Sequence, residues 1–303
     1  MSKDRWWLRN RSEYLAYLAA RGAAGILGPA ALARVGRGLG RLFFRVSRRR
    51  AEIVDFNLRL ALPELDDRAR GRLAAAVADH FGIVILDALR LQRLDPDALV
   101  TEVEVRGANH LESALAGGRG VFLLSAHIGS WEVAALISGL RIPGGLWVVN
   151  RPLDNPLLDA ELERLRARFG NRALGKRGIA RDVLVRLKQG GAVGILIDQR
   201  VAPDVGVAVP FFGQPTPTHP VLARFARKTL APVVPLFAFW EGPGRYVLEY
   251  GEVIEPSRLT DAELEDGPLT ARFSAVVEAV IRSRPEQWLW YHDRWRDLRK
   301  ASD

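Results

Sequence analysis

The most constraining stretch of this chain runs from Gly120 to Leu140. Val121 to Ala126 is a short, largely apolar run between Gly117-Gly118-Arg119-Gly120 and His127-Ile128-Gly129-Ser130. A run of that length punctuated by glycine on both sides predicts a buried strand. Val133, Leu136 and Ile137 then recur at helical spacing, and Ser130 stands where a side-chain oxygen would cap the free amides of the first turn. The order strand, glycine turn, helix belongs to an open α/β sheet. It puts His127 at the carboxyl end of a strand and Glu132 in the first turn of the following helix, at the rim where ligands bind.

The same alternation continues along the chain. Residues 102–107, 145–150, 192–197, 233–240 and 246–254 read as further strands, and helices fill 110–115, 156–169, 179–189, 218–229 and 269–282. Repeated βα units predict a mostly parallel central sheet covered by helices on both faces. Before Val100 the pattern is helical only, with Leu73, Val77, Phe81, Val84, Ile85 and Leu89 on one helix face and His80 within it as a packed or half-exposed structural histidine. The organisation expected is an N-terminal amphipathic helical region over 1–95 and an α/β catalytic domain over 96–303, joined in one compact unit.

Charge is concentrated at the start. Of the net +9, residues 1–50 carry twelve Lys or Arg against Asp4 and Glu13, which leaves the remainder nearly neutral. A basic segment suits an anionic membrane face or nucleic acid equally well on electrostatics alone. The companions of these arginines are Trp6, Trp7, Tyr14, Leu15, Leu18, Ile26, Leu27, Leu42, Phe43 and Phe44, which favour helices lying in a membrane interface, with no nucleic-acid partner. The longest uncharged run, 205–223, is broken by Pro210, Pro215, Pro217 and Pro220 and cannot span a bilayer. Met1 to Asn10 lacks the apolar core of a secretory signal. With no cysteine, disulfides and thiolate chemistry are excluded.

The chemistry offered by the central stretch is a general base, His127, oriented by the carboxylate of Glu132. On a regular helix, five residues of separation leave two side chains about 140° out of line, so the turn at Gly129 is needed for them to meet. The alternative is a turn histidine beside a surface glutamate that simply favours a helix N-terminus. Spacing does not choose between these. Five histidines among 35 acids in 303 residues give roughly 0.6 chance matches to His-x4-Asp/Glu, and His292 with Asp297 is a second match lacking the strand and glycine turn. Asp198 ends its own strand at the same rim, as a second carboxylate that positions the base or binds substrate, or as an ordinary turn residue. Arg151 also follows a strand and could hold a phosphate or carbonyl through its planar donors. Lys176, Arg177 and Arg200 are further candidates for anionic head groups, and Phe212 with Gly213 for lining an acyl tunnel. No metal site is expected, since there is neither His-Glu-x-x-His nor a cysteine cluster. Gly170 to Lys176 has phosphate-loop spacing but is followed by Arg177 instead of Ser or Thr, and Gly36 to Gly40 resembles a dinucleotide fingerprint without the preceding strand.

Ser125-Ala-His-Ile-Gly-Ser-Trp-Glu132 resembles the His-x4-Glu signature of the lipid A biosynthesis acyltransferases, the branch of the lysophospholipid acyltransferase superfamily with Glu where glycerophosphate acyltransferases carry Asp. Further matches keep the family's order: Asn57-Leu58, Pro63-Glu64, Arg151-Pro-Leu-Asp-Asn-Pro156, Asp198-Gln199, Pro210-Phe-Phe-Gly213 and the run from Pro285 to Trp295. The resemblance implies a glycerolipid-acyltransferase-like fold and transfer of a fatty acyl chain from acyl-carrier protein, or CoA, to a hydroxyl of a lipid A precursor or related glycolipid. It implies no cofactor beyond that thioester co-substrate and a peripheral position on the cytoplasmic face of the bacterial inner membrane. It also brings Asp198, Gln199 and Arg151 into the site. Alternatives are a phosphatidylinositol mannoside or phospholipid acyltransferase using acyl-CoA, thioester hydrolysis, and a non-catalytic basic protein that binds membranes or nucleic acid. The Glu-assisted route stands or falls on His127 and Glu132 meeting.

Overall fold

A computed structural model describes residues 3–150, 152–174 and 178–302. Arg151, Lys176 and Arg177, three of the sequence-predicted binding residues, lie outside the described residues. The first four helices are α1 (Lys3–Ala24), α2 (Pro29–Val46), α3 (Arg48–Ala61) and α4 (Asp67–Leu91). Asp66 caps α4 by accepting from the Ala69 amide at 2.6 Å. Two of the glycines that mimic a dinucleotide fingerprint, Gly36 and Gly40, serve packing instead. A Cβ on Gly40 would lie 1.9 Å from the Ala78 carbonyl oxygen, and one on Gly82 equally close to that of Gly36, so α2 and α4 cross backbone against backbone. Among the described residues, no helix is long and apolar enough to cross a membrane.

The sheet section follows as α5 (Pro96–Thr101), β1 (Val103–Arg106), α6 (Ala108–Ala116), β2 (Val121–Ser125), α7 (Trp131–Arg141), β3 (Leu146–Val149), α8 (Pro156–Arg168), β4 (Arg172–Leu174), α9 (Ile179–Lys188) and β5 (Ala192–Leu196). It closes with β6 (Val207–Phe211), β7 (Gln214–Thr218), α10 (Val221–Thr229), β8 (Val233–Gly242), β9 (Arg245–Tyr250), α11 (Asp266–Ser283) and α12 (Arg296–Ser302). Seven strands form one sheet in the order β1-β9-β8-β2-β5-β3-β4. From β8 to β4 all neighbours are parallel; β8 and β9 are an antiparallel hairpin, and β1 runs parallel to β9. The mostly parallel mixed α/β architecture expected from the βα alternation is therefore present.

Alternate residues of β2 enter two different cores. Phe122 and Leu124 pack with Val54 and Leu58 of α3, Val183 and Leu187 of α9, Phe225 of α10 and Phe273 of α11. Val121 and Leu123 pack on the opposite face with Leu99, Leu111, Leu136, Ile137 and Leu165 from α5 to α8. Helices cover both faces, and burial of both faces explains why β2 reads as a continuous run without alternation.

The proline-rich 205–223 stretch departs from expectation. The strand β7 occupies Gln214–Thr218, and the helix expected from Thr218 begins only at Val221. Prolines 210 and 215 face one another in this two-stranded ribbon, where a missing amide costs no ladder inside a larger sheet. Phe212 and Gly213 both have positive φ, 53° and 72°, and make the two-residue turn.

Candidate active site

Strand register brings the two principal side chains together. On the adjacent parallel strands β2 and β5, Ser125 is level with Leu196, so His127 and Asp198, each two residues further on, emerge side by side at the carboxyl rim. The ring Nδ1 of His127 lies 2.9 Å from Asp198 Oδ1, and its backbone amide donates to Oδ2 at 2.9 Å. The Trp288 indole Nε1 donates to the same Oδ2, also at 2.9 Å. The Asp198 side chain is 2% exposed and the His127 ring 22%, so solvent or substrate reaches the imidazole and not the carboxylate. Burial opposes the charge on Asp198, but the His127 imidazolium and these hydrogen bonds outweigh it and hold the carboxyl down to about 2. When the ring is neutral, an ionised acceptor fixes its proton on Nδ1, which leaves the Nε2 lone pair free to take another. The Gln199 side-chain amide lies 3.2 Å from that Nε2, in the direction from which a hydroxyl would approach.

Glu132 corrects the sequence reading. Both of its oxygens accept from Arg166 of α8, at 2.7 and 2.9 Å, so its carboxylate is committed to the guanidinium and the partner on His127 is Asp198. The physical reason is placement. From the first turn of α7, Glu132 faces α8, whereas the carboxylate beside His127 comes from the neighbouring strand. The expected Ser130 cap is also absent: its side chain makes no capping bond, and its amide donates to the Ala238 carbonyl at 2.8 Å. Gly129 holds this turn with φ of 59°, and a Cβ there would lie 2.0 Å from the Ala238 oxygen.

Other predicted residues fall elsewhere. Phe212 is buried among Trp288, Trp290 and Trp295, and Gly213 is exposed at the tip of the hairpin, so both serve the ribbon and its aromatic core. Arg200 pairs with Asp297 at 2.9 Å. His80 is buried, with Nε2 3.4 Å from the Gly129 carbonyl, and burial pushes it down to about 4. The sequence does not single out Arg166; His292 enters only as a second His-x4-acid match, and Arg294 and Trp288 only within the run from Pro285 to Trp295. The signal available for the last three was the density of Trp, His and Arg in a segment without helical or strand period.

A shallow apolar recess, enclosing only about 20 Å³, lies beside the site between α4 and the C-terminal segment. Val77, Phe81, Val84 and Ile85 line one side, and Trp131, Leu289 and Tyr291 the other. The Trp131 ring is centred 5.4 Å from that of His127, so the recess borders the base. The arrangement offers an oriented imidazole at a rim, flanked by an apolar wall.

Residues 2–297 match the family model described as bacterial lipid A biosynthesis acyltransferase. This chain belongs to that family. As a lipid A biosynthesis acyltransferase family member it is similar to the Escherichia coli lipid A biosynthesis lauroyltransferase, with 30% identity covering 87% of this chain and 84% of the relative. It is 26% identical to the E. coli lipid A biosynthesis myristoyltransferase, over 86% of this chain and 78% of that one. A phosphatidylinositol mannoside acyltransferase of Mycobacterium tuberculosis is likewise 26% identical, over 74% of this chain and 70% of its own length. Membership makes the protein an acyltransferase enzyme and sets aside the non-catalytic basic protein.

Proposed function

We propose that this acyltransferase moves a fatty acyl chain from an acyl thioester, carried by acyl-carrier protein in preference to CoA, to a hydroxyl of a lipid A precursor or closely related glycolipid. The observation that carries the reading is the His127–Asp198 contact at 2.9 Å with the imidazole Nε2 on the open side. The acceptor O–H donates to Nε2 in place of Gln199. As the hydroxyl oxygen attacks the thioester carbonyl, Nε2 takes the proton, and Asp198 stabilises the imidazolium through Nδ1–H. Collapse of the tetrahedral intermediate breaks the carbon–sulfur bond, and the proton on Nε2 goes to the leaving thiolate. Because the Ser130 amide is already used by Ala238, oxyanion donors from this turn would come from Trp131 onward. The alkyl chain lies along the apolar wall beside Trp131, where the recess must widen to admit it. Glu132, through Arg166, keeps the start of α7 against α8.

The reaction takes place at the cytoplasmic face of the inner membrane, on which the N-terminal helices rest. Val35, Leu39, Leu42 and Val46 recur at helical spacing on the exposed side of α2, beside the buried stripe of Leu32, Ala33, Gly36 and Gly40. Arg34, Arg45, Arg48 and Arg49 are exposed around them, and Trp6, Trp7 and Leu15 of α1 are exposed as well. Apolar stripes rimmed by arginine suit an anionic lipid surface. The likeness to a phosphatidylinositol mannoside acyltransferase supports a second reading, in which acyl-CoA is the donor and a mannosylated phospholipid the acceptor.

The test is radiolabelled acyl transfer on membranes with each donor and each acceptor, products being separated by thin-layer chromatography. His127→Ala should lose at least about 10²-fold in rate while remaining folded. A folded His127→Ala protein with near-full transfer ends the proposal, and free fatty acid released from wild type without any acceptor would point to hydrolysis instead.

A further inference from the structure

The C-terminal segment from Gln287 to Asp297 touches both strand exits that carry the site. On the β2 side, the Gly129 amide donates to the Gln287 carbonyl at 2.9 Å, and Ile128 bridges to Trp288. On the β5 side three consecutive residues are each held by it. Trp288 donates to the Asp198 carboxylate, Arg294 donates to the Gln199 carbonyl at 2.8 Å, and the Arg200 amide donates to His292 Nε2 at 2.9 Å. Asp297 then takes the Arg200 guanidinium.

Most of this segment lies between the last two helices, so its shape is set by side chains. Those anchors are buried. Asn57, fully enclosed, donates to the carbonyls of Trp290 and His292 at 2.8 and 2.9 Å. Arg294 is 2% exposed and also donates to the Pro217 carbonyl and Thr218 Oγ1 at 2.8 and 2.6 Å. A buried guanidinium with three carbonyl or hydroxyl acceptors and no carboxylate among them is costly to build, and replacing it with an apolar residue would spare that cost. Its position makes sense as a fixture for the backbone from which Asp198 and Gln199 project.

We propose that the C-terminal segment is a strap that sets the geometry of the acid–base pair from outside, with Trp288 and Arg294 as positioning residues. The Trp288 N–H holds the carboxylate in the orientation that serves both the Nδ1 and the backbone amide of His127. Arg294 fixes the Gln199 carbonyl, so that the Gln199 amide stays over Nε2 until the acceptor hydroxyl replaces it. The inference rests on Asp198 being the partner of His127 in acyl transfer.

The experiment is steady-state kinetics across pH on full-length Trp288→Phe, Arg294→Lys and Asp198→Asn, with folding checked by near-ultraviolet circular dichroism. Phe keeps the ring packing and removes only the donor. A hydrogen bond to a charged group corresponds to roughly 10- to 100-fold, so kcat of Trp288→Phe should fall by about that factor with KM unchanged. Its acid limb should move to higher pH, because a carboxylate relieved of one donor is a stronger partner for the imidazolium. Arg294→Lys, which keeps the charge but not the fork, should lower kcat about 10-fold with KM unchanged and serves if the Phe variant does not fold. Trp290→Phe, whose indole donates to the Pro285 carbonyl, should leave the limb in place. An inactive Asp198→Asn beside Trp288→Phe and Arg294→Lys with wild-type kcat and pH profile overturns the strap alone. A fully active Asp198→Asn overturns the underlying pairing, and the strap with it.

Discussion

Glu132 and Arg166 form a two-point ion pair between the first turn of α7 and the last turn of α8, at 2.7 and 2.9 Å, with both side chains largely withdrawn from solvent. Burial opposes the guanidinium charge, and Glu132 outweighs it, so the Arg166 pKa is raised. Breaking such a pair from one side leaves an uncompensated charge and costs about 3–5 kcal/mol, whereas replacing both partners by apolar groups is often neutral.

That asymmetry separates a positional Glu132 from one that takes part in proton transfer. Glu132→Leu alone should lower the melting temperature and the activity together. Adding Arg166→Met should restore most of the stability and, with α7 back against α8, at least a substantial part of the transfer rate. Asp198→Asn should behave differently, losing at least about 10²-fold in rate because the base loses its orienting group. The measurements are thermal melts and acyl-transfer rates on the two single variants and the double. A double variant that is stable yet as inactive as Asp198→Asn would assign Glu132 to the chemistry.

Stability should fall with pH on the acid side in two stages. Burial pushes His80 and His292 down to about 4 from an ordinary value of 6.5, so between those limits the unfolded chain binds more protons than the folded one. Folding free energy therefore declines as pH drops through that window, by up to about 1.4 kcal/mol per pH unit for each histidine. Asp198, held at about 2, keeps its contribution above its ordinary value of 3.8 and loses it only as pH falls from there toward 2. Melting temperatures taken from pH 7.5 to 4.5 should show the first stage, and His80→Asn should flatten its slope. Parallel curves for wild type and variant would remove His80 from this account.

The rim was legible because its signals are local. Apolar runs ended by glycine located β2 and β5 to within one residue, and with them the exits at His127 and Asp198. What the run of residues could not carry is which strand neighbours which. Choosing Asp198 over Glu132 requires β5 beside β2, a fact 71 positions away in the chain, and Trp288 reaches Asp198 from 90 positions away. The two His-x4-acid matches make the same point. Glu132 goes to Arg166, while His292 and Asp297 converge on the backbone and side chain of Arg200, so in each match the acid pairs with an arginine and not with the histidine five residues before it. The β6–β7 ribbon was missed because its prolines argue against a strand in a wide sheet, and two-stranded ribbons escape that rule.

The exposed stripe of α2 gives the last prediction. Leu39 and Leu42 are 48% and 52% exposed, and transferring the exposed half of two leucines out of water is worth roughly 1.5–3 kcal/mol in total. Leu39→Glu with Leu42→Glu should therefore weaken binding to vesicles of phosphatidylglycerol by about 10- to 100-fold. Neither side chain belongs to the α2 stripe of Leu32, Ala33, Gly36 and Gly40 that packs on α4, so the fold should persist. Arginine replacement acts through a separate term: each of Arg34, Arg45, Arg48 and Arg49 near an anionic surface is worth about 1 kcal/mol, and that share should fade with salt while the leucine share persists. Vesicle sedimentation at low and high salt distinguishes the two contributions. If both sets of variants sediment with vesicles as wild type does, α2 is not the lipid-facing element, and access of the acceptor to His127 must come from another side.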